Sequence, residues 1–136
     1  MAYWLVKSEP YVYSFDMLLK DKKTIWDGVR NYSARNNLRD MKVDDLVFFY
    51  HSNEGMAVVG TAIVTKTAFP DPTTDVPGWV AVELKAGKKL IKPVTLSTIK
   101  SDKRLTEMEL VRISQLSVQK VSPAEWKIVM KLAGEK

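Results

Sequence analysis

Short apolar runs separated by turn-forming residues dominate the hydrophobic pattern of the chain, and they predict a strand-rich fold. Tyr3–Lys7 is rich in β-branched and aromatic residues and stops shortly before a proline, which predicts a buried first strand. Residues 44–52 form a near-continuous apolar run, typical of a strand buried on both faces. Gly60 permits a bend or bulge within a long strand pattern at 56–69. Further strand patterns lie at 24–26, 79–85 and 116–121.

Capping residues and the helical spacing of apolar positions predict short helices between these strands. Ser33 can cap a helix that runs from residue 34 to about residue 41, with its arginines pointing outward. Ser122 and Pro123 predict the start of a last helix, and Gly134 predicts its end. Two more short helices are predicted at 15–21 and within 92–102.

The order of these elements predicts the fold class. The pattern contains no alternation of strand, helix and parallel strand, and it contains no internal repeat. Five to six mainly antiparallel strands with short flanking helices favour an α+β or mostly-β barrel with the helices packed outside. A chain of 136 residues has the ordinary size of one domain, so we expect residues 1–136 to form a single domain.

Composition removes several kinds of site. The chain has no cysteine and His51 is its only histidine, so we expect no disulfide and no metal site, and no cofactor is predicted. No stretch has the pattern of a signal peptide, and no apolar run reaches the ~18 residues of a membrane span. We therefore expect a cytoplasmic protein without a membrane partner.

An excess of basic residues gives a net charge of +5, which favours an anionic partner. From Lys85 to Arg104 there are seven basic residues and one acidic residue, Asp102. This run has two interpretations. It can be a surface that binds phosphate groups, or it can be an ordinary solvated surface rich in lysine. Arginines cluster elsewhere, within residues 26–41. Arginine is typical of planar bidentate or stacked contacts.

Catalytic arrangements have little support in the sequence. His51 and Ser52 are neighbours in a strand and point to opposite faces, so they make a poor hydrolase pair. No glycine-rich phosphate loop occurs, and Asp44 and Asp45 are expected to form a solvated turn before a strand. We predict a protein that is not an enzyme. The alternative is a nucleotide-type small-molecule sensor or enzyme, with His51 and Glu9 as candidates for proton transfer.

Residues 26–36 favour a site for a flat ligand, because aromatic and arginine planes occur there among polar side chains that can read the edges of a heterocycle. Tryptophan has an ordinary structural use as well. Trp4 and Trp126 are expected to face the core, whereas Trp26 and Trp79 fit either a core contact or a ligand contact.

Arg30 and Arg35 also have two explanations. They can meet phosphate groups, or they can pair with Asp27 and Asp40 as in any mixed-charge helix. His51 has a structural alternative too, since a histidine on an aromatic strand is more often a hydrogen-bonded structural residue than a catalyst.

Several motifs occur in the order and spacing of one known family. They are "YWLVKSEP", "YSFDML", "GVRNYSARNNLRDMK", "FYHS" and "FPDPT", and the resemblance runs on to "LSVQKVSPAEWKIV". In these motifs the chain resembles the EVE domain family, a branch of the PUA-like superfamily that also includes the YTH, ASCH and PUA domains. The resemblance implies a PUA-like pseudobarrel with flanking helices.

By this resemblance the chain is expected to bind nucleic acid, RNA or DNA, and to recognise a modified base such as 5-methylcytosine in an aromatic and polar pocket. The basic surface would contact the backbone of the nucleic acid. We expect the protein to be a monomer. The family motifs and the chemistry of the side chains together assign thirteen residues to this pocket. They are Lys7, Ser8, Glu9, Trp26, Arg30, Asn31, Tyr32, Arg35, His51, Ser52, Asp71, Pro72 and Trp79.

The predicted pocket residues divide by chemistry. The aromatic residues Trp26, Tyr32 and Trp79 are candidates to stack on the base. Ser8, Asn31 and Ser52 are expected to hydrogen-bond its edge. Lys7, Arg30 and Arg35 are expected to meet phosphate.

Overall fold

The structure of the protein is a computed structural model, which describes residues 1–135. Its strands are β1 (Tyr3–Ser8), β2 (Lys23–Trp26), β3 (Leu46–His51), β4 (Ala57–Pro70), β5 (Val80–Thr95) and β6 (Val118–Val121). Its helices are α1 (Phe15–Asp21), α2 (Tyr32–Asp40), α3 (Leu96–Ser101), α4 (Glu109–Arg112) and α5 (Pro123–Leu132), with a 3₁₀ turn at Lys103–Leu105. Among the described residues, no helix is long and apolar enough to cross a membrane.

All six strands belong to one sheet, in the order β2, β5, β4, β3, β1, β6. β1 runs parallel to β3, and every other pairing is antiparallel. Helices flank this mixed sheet, so the prediction of a PUA-like α+β fold with five to six mainly antiparallel strands is confirmed. The edge strands β2 and β6 do not pair with each other within residues 1–135, which leaves an open seam between the two edges of the sheet.

The two faces of the central strands belong to two separate hydrophobic cores. Alternate residues of β3 point to opposite faces, so that Val47 and Phe49 pack with α1 and α2 while Phe48 packs with α5. This confirms the prediction of a strand buried on both faces. Trp126 stacks on Phe48 with ring centroids 3.7 Å apart, and Trp4 is 4% exposed, so both tryptophans face a core as predicted.

Gly60 marks the irregularity that the long strand pattern predicted. The register of β4 against β5 shifts on both sides of this glycine. A Cβ atom at Gly60 would overlap the ring of Phe15, the fully buried first residue of α1. The glycine therefore lets α1 lie directly on the sheet, which holds the segment between β1 and β2 in place.

The start of α2 differs from its prediction. Asn31 is the N-cap, because its Oδ1 accepts a hydrogen bond of 2.9 Å from the N–H of Ala34. Ser33, the predicted cap, lies inside the first turn. Both residue types satisfy the capping rule equally well, so the sequence alone does not separate them.

The short helix predicted within 92–102 is confirmed, because α3 runs from Leu96 to Ser101. Its predicted entry at Pro93 is wrong, since β5 continues to Thr95 and includes this proline. The structure adds α4 and the 3₁₀ turn, which were not predicted. Elements of three or four residues are too short to show a hydrophobic period.

Asp45 corrects the prediction of a solvated carboxylate pair. Asp44 is exposed, but Asp45 is buried and accepts hydrogen bonds of 2.9–3.0 Å from Ala2 N, Trp4 Nε1 and Lys42 N. Burial acts to raise the pKa of Asp45, but these donors outweigh it and hold the pKa below its usual range. The carboxylate thus joins the start of the chain to the turn before β3.

Candidate functional site

A cleft of about 660 Å³ opens at the seam between the two edges of the sheet. Strand β2 and the loop after it form one wall. The end of β1, the loop after it, and a residue just before β6 form the other wall. We call this space the seam cleft. Its lining residues are Lys7, Ser8, Val12, Tyr13, Thr24, Ile25, Trp26, Asp27, Gly28, Val29, Arg30, Asn31 and Ser117.

Trp26, the last residue of β2, presents an indole ring to the seam cleft. The ring meets Phe49 at a centroid distance of 5.5 Å and an interplanar angle of 85°. It meets Tyr13 at 6.5 Å and 77°, again nearly at right angles. In the described part of the chain, no aromatic ring stacks parallel to the indole. The half-buried ring is therefore held by perpendicular neighbours, and a flat ligand in the cleft can stack on it.

Groups of opposite charge lie on the two walls of the seam cleft. Lys7 donates from Nζ to the carbonyl oxygen of Ser114, and partial burial lowers the pKa of its ammonium group. Asp27 lies on the other wall, where burial and then the charge of Asp71 raise the pKa of its carboxyl group. The cleft thus offers a carboxylate acceptor on one side and an ammonium donor on the other.

Arg30 is held in the cleft wall by Asp71, which follows β4. Its Nη1 donates to Oδ2 of Asp71 at 2.9 Å and to the carbonyl of Val29 at 3.0 Å, while Nη2 donates to Oγ1 of Thr73 at 3.2 Å. Asp71 also accepts hydrogen bonds of 2.6–2.9 Å from Gly28 N, Thr73 N and Thr73 Oγ1. The carboxylate partner of Arg30 is therefore Asp71 and not Asp27 or Asp40, and a phosphate contact by the exposed part of Arg30 stays a prediction.

Asp71 is an anchor behind the seam cleft and does not line it. Its side chain is fully buried, whereas that of Arg30 is 41% exposed. Burial acts to raise the pKa of Asp71, but hydrogen bonds from Thr73, Arg30 and Gly28 outweigh it and hold the pKa far below its usual range. The ionised carboxylate therefore joins the loop after β2 to the loop before β5.

Ser8 and Asn31 line the cleft with polar groups, some of which already form hydrogen bonds within the protein. Ser8 donates from Oγ to the carbonyl of Tyr13 at 2.6 Å. Asn31 uses its Oδ1 to cap α2, while its Nδ2 has no hydrogen-bond partner within residues 1–135. Asn31 can therefore still donate to a ligand.

His51 lies outside the lining of the seam cleft, at the end of β3. Its Nε2 accepts a hydrogen bond of 3.1 Å from the N–H of Phe15, the first residue of α1. Burial lowers the pKa of the imidazole, which favours the neutral form that this bond requires. In the described part of the molecule, no hydrogen bond joins His51 to Glu9, the other candidate for proton transfer.

Glu9, Ser52 and Pro72 also lie outside the lining of the cleft. The backbone N–H of Ser52 donates to the carbonyl of Ser8 at 3.0 Å, and the carbonyl of Glu9 accepts two N–H groups of the following turn. Pro72 is exposed in the loop between β4 and β5. Ser52 and Glu9 thus support the backbone near the cleft, and ligand contacts by the side chains of all three residues stay a prediction.

Tyr32, Trp79 and Arg35 form a separate cluster, which we call the aromatic ledge. The two rings are stacked, with centroids 5.2 Å apart and an interplanar angle of 22°. Cζ of Arg35 lies 4.9 Å from the centroid of Tyr32 and 5.6 Å from that of Trp79. Arg35 also donates to Oδ1 of Asn36, so its partners are the two rings and an amide, and not Asp27 or Asp40.

Eight residues of the cleft lining are not among the thirteen predicted site residues, although three of them, Asp27, Gly28 and Val29, fall within the stretch 26–36 that favours a ligand site. Asp27 had a usable signal, because it directly follows Trp26 in a polar loop. The others are apolar or small residues that carry no chemical signal of their own, and Val12, Tyr13 and Ser117 come close to Trp26 only because β2 and β6 lie at the two edges of the sheet. These other residues are Val12, Tyr13, Thr24, Ile25, Gly28, Val29 and Ser117.

The basic run from Lys85 to Arg104 is partly neutralised. Three of its members form ion pairs, Lys88 with Glu135, Lys89 with Asp16 and Arg104 with Asp102. The remaining members are exposed and form no ion pair within the described residues. They are Lys85, Lys92, Lys100 and Lys103.

The family model of the EVE domain matches residues 2–132, which is nearly the whole chain. The chain belongs to the EVE domain family. One relative is mouse thymocyte nuclear protein 1, which is 33% identical over 164 aligned positions that cover 96% of this chain and 73% of the mouse protein.

Solved structures of EVE relatives share the whole fold. An NMR structure of a Rhodopseudomonas palustris protein is 46% identical, with a TM-score of 0.94 over 98% of this chain and 94% of that chain. A crystal structure of the human THYN1 protein in complex with DNA that contains 5-methylcytosine is 29% identical. Its TM-score is 0.92 over 100% of this chain and 99% of that chain.

Proposed function

We propose that this EVE domain binds DNA and takes one modified cytosine base, such as 5-methylcytosine, into the seam cleft. The observation that carries the proposal is the cleft itself, in which the indole of Trp26 lies among polar groups that can read the edge of a base. The human THYN1 protein, whose structure holds DNA with 5-methylcytosine, has the same fold and supports this assignment.

The energy balance of the proposal rests on stacking together with edge contacts. Extruding a base from a duplex costs a few kcal/mol. Stacking on one aromatic side chain returns about 1–3 kcal/mol per base. A good bidentate contact to a base edge adds about 1–3 kcal/mol of discrimination. Binding is therefore expected to be tightest where the target base is single-stranded or mismatched, because unpairing costs least there.

Asp27 and Asn31 are the cleft residues suited to read a cytosine edge. A carboxylate accepts from the exocyclic amine of cytosine, whereas thymine presents a carbonyl acceptor at the same position. The free Nδ2 of Asn31 can donate to a base carbonyl or ring nitrogen. This pair of groups favours 5-methylcytosine over thymine, although the two bases carry the same methyl group.

Basic side chains supply the proposed contacts to the DNA backbone. Lys7 and Arg30 line the cleft, and the exposed lysines of the Lys85–Arg104 run add positive charge outside it. Each phosphate that they neutralise releases condensed counterions, so the affinity is expected to depend on salt.

Titration with a fluorescein-labelled single-stranded DNA that carries one central 5-methylcytosine tests the proposed function. Fluorescence anisotropy at several salt concentrations is expected to give a logarithm of Kd that rises linearly with the logarithm of salt concentration. An RNA strand of the same sequence serves as the comparison. Failure to bind the DNA at low salt would overturn the proposal, and binding independent of salt would favour the alternative of a free nucleotide-type ligand.

Replacing Asp27 with asparagine is expected to remove the preference for 5-methylcytosine over thymine. The amide can accept from the exocyclic amine of 5-methylcytosine through its oxygen or donate to the carbonyl of thymine through its nitrogen, so it no longer distinguishes the two bases. Affinity for the 5-methylcytosine strand should fall about 10-fold, or ~1.4 kcal/mol, in the lower half of the range for one edge contact, because the neutral amide can still accept from the amine. Competition between otherwise identical strands with 5-methylcytosine or thymine measures this preference.

The control for this variant is Asp40→Asn, which makes the same charge change at an exposed position outside the cleft. It is expected to bind both strands as the wild type does. An unchanged preference in Asp27→Asn would show that this carboxylate does not read the base.

A further inference from the structure

The aromatic ledge has a geometry that packing alone does not require. Tyr32 is 67% exposed although its ring is stacked on Trp79. A ring that served only to join α2 to the loop before β5 would be covered by that loop. The ledge instead presents a large apolar surface to solvent at the first residue of a helix.

The outer face of the Tyr32 ring is open. If the guanidinium of Arg35 covered that face, it would lie much farther from Trp79 than from Tyr32, because the rings are stacked 5.2 Å apart. The two distances are instead similar, at 4.9 Å and 5.6 Å. Arg35 therefore lies beside the stack and leaves one face of Tyr32 free.

The ledge is continuous with the seam cleft. Arg30 lines the cleft, and its Cζ lies 5.5 Å from the centroid of Trp79. Asn31 lines the cleft as well and directly precedes Tyr32. A row of planar groups thus leads from the cleft, through Arg30 and Trp79, to the free face of Tyr32.

The ledge is also held in position by backbone contacts. The carbonyl of Trp79 accepts a hydrogen bond of 3.0 Å from Asp71 N, and the carbonyl of Gly78 accepts one of 3.1 Å from Nη2 of Arg39. Arg39 lies on α2, as do Tyr32 and Arg35. The stacking surface is therefore built on a helix and a pinned loop.

We propose that the aromatic ledge is a second stacking platform, which binds the nucleobase next to the base in the seam cleft. The proposal rests on the proposed function, because it requires a DNA strand whose neighbouring base lies in the cleft. Aromatic rings stack on any base without regard to sequence, and an adjacent guanidinium adds a cation–π contact and a donor to phosphate. The cleft would then select the base while the ledge adds affinity for the strand.

The test compares two probes that differ in length. One is the fluorescein-labelled single-stranded DNA with a central 5-methylcytosine, and the other is the mononucleotide 5-methyl-2′-deoxycytidine 5′-monophosphate, titrated by NMR. Tyr32→Ala is expected to weaken binding of the strand about 5-fold, the low end for one stacked base, and to leave binding of the mononucleotide unchanged. Tyr32→Phe keeps the ring and is expected to bind both probes as the wild type does.

Two control variants separate this proposal from the function of the cleft. Ile91→Ala removes an apolar side chain of similar exposure, 72%, from β5 and is expected to change neither affinity. Trp26→Ala is expected to weaken binding of both probes. If Tyr32→Ala binds the strand as tightly as the wild type while Trp26→Ala binds it more weakly, the ledge proposal is overturned. The proposed function of the cleft then remains intact.

Two further outcomes would count against the ledge. Equal weakening of both probes by Tyr32→Ala would show that Tyr32 acts through the cleft and not as a separate platform. Unchanged affinities in both Tyr32→Ala and Trp26→Ala would overturn the proposed function together with the ledge.

Discussion

Replacing Trp26 with alanine is expected to weaken binding of the 5-methylcytosine strand by about 3 kcal/mol, roughly 100-fold, the upper end for the loss of one stacked base. The upper end of the stacking range applies because the indole is half-buried and held by two perpendicular rings. Little side-chain entropy is therefore lost when a base stacks on it. Anisotropy titration of the wild type and the variant at one fixed salt concentration measures the loss.

The conservative variant Trp26→Phe separates stacking from folding. It keeps an aromatic face and the contact with Phe49, so it should retain most of the affinity. Thermal unfolding of both variants shows how much each has lost in stability, since the indole also packs against the core. If Trp26→Ala folds and binds the strand as tightly as the wild type, the cleft does not hold the base.

Replacing Asp71 with alanine is expected to lower the free energy of unfolding by about 2 kcal/mol, because it removes a buried charged acceptor that serves donors from two loops. A larger value is not expected, since Arg30 and Gly28 are exposed to solvent and can be hydrated in the variant. DNA affinity should fall as well, because Arg30 and the loop after β2 lose their common anchor. Urea unfolding and anisotropy titration measure the two effects.

The stability that Asp71 provides should depend on pH in a defined direction. A carboxyl group whose folded-state pKa is depressed adds stability above its unfolded pKa of about 3.9, and that stability is lost as the pH falls through the folded-state pKa. The pKa of Asp71 is depressed in this way. The difference in unfolding free energy between the wild type and Asp71→Asn should therefore be complete at neutral pH and should shrink progressively in acid.

The control for Asp71 is Asp75→Asn, a change at an exposed carboxylate of the same loop. Its unfolding free energy should equal that of the wild type at each pH. If the difference in unfolding free energy between the wild type and Asp71→Asn stays constant from neutral pH into acid, Asp71 is not an ionised carboxylate that links the two loops.

Local patterns predicted the parts of this fold that depend on local physics. The apolar run at 44–52 predicted a strand buried on both faces, and two cores indeed lie on either side of β3. Ser122 and Pro123 predicted the start of α5, where Ser122 is the N-cap. In each case, neighbouring residues carry the whole signal, so no knowledge of the tertiary structure is required.

The geometry of the site depends on contacts that a single sequence does not display. The partner of Arg30 is Asp71, 41 residues away, although Asp27 is the nearer carboxylate in the chain. Ser117 lines the cleft only because β6 lies at the edge of the sheet. Tyr32 and Trp79 were predicted for the same pocket as Trp26, but neither lines the cleft, and their rings stack on each other beside it.

The central claim is that a base enters the seam cleft and stacks on Trp26, and the four indole N–H signals of the protein test it most directly. In ¹H–¹⁵N NMR spectra these signals can be assigned with single Trp→Phe variants. On addition of the 5-methylcytosine strand, the Trp26 signal is predicted to shift most. The signals of Trp4 and Trp126 should stay in place, because the Trp4 indole is hydrogen-bonded to Asp45 and the Trp126 ring is stacked on Phe48. A bound strand that leaves the Trp26 signal unchanged would contradict the account.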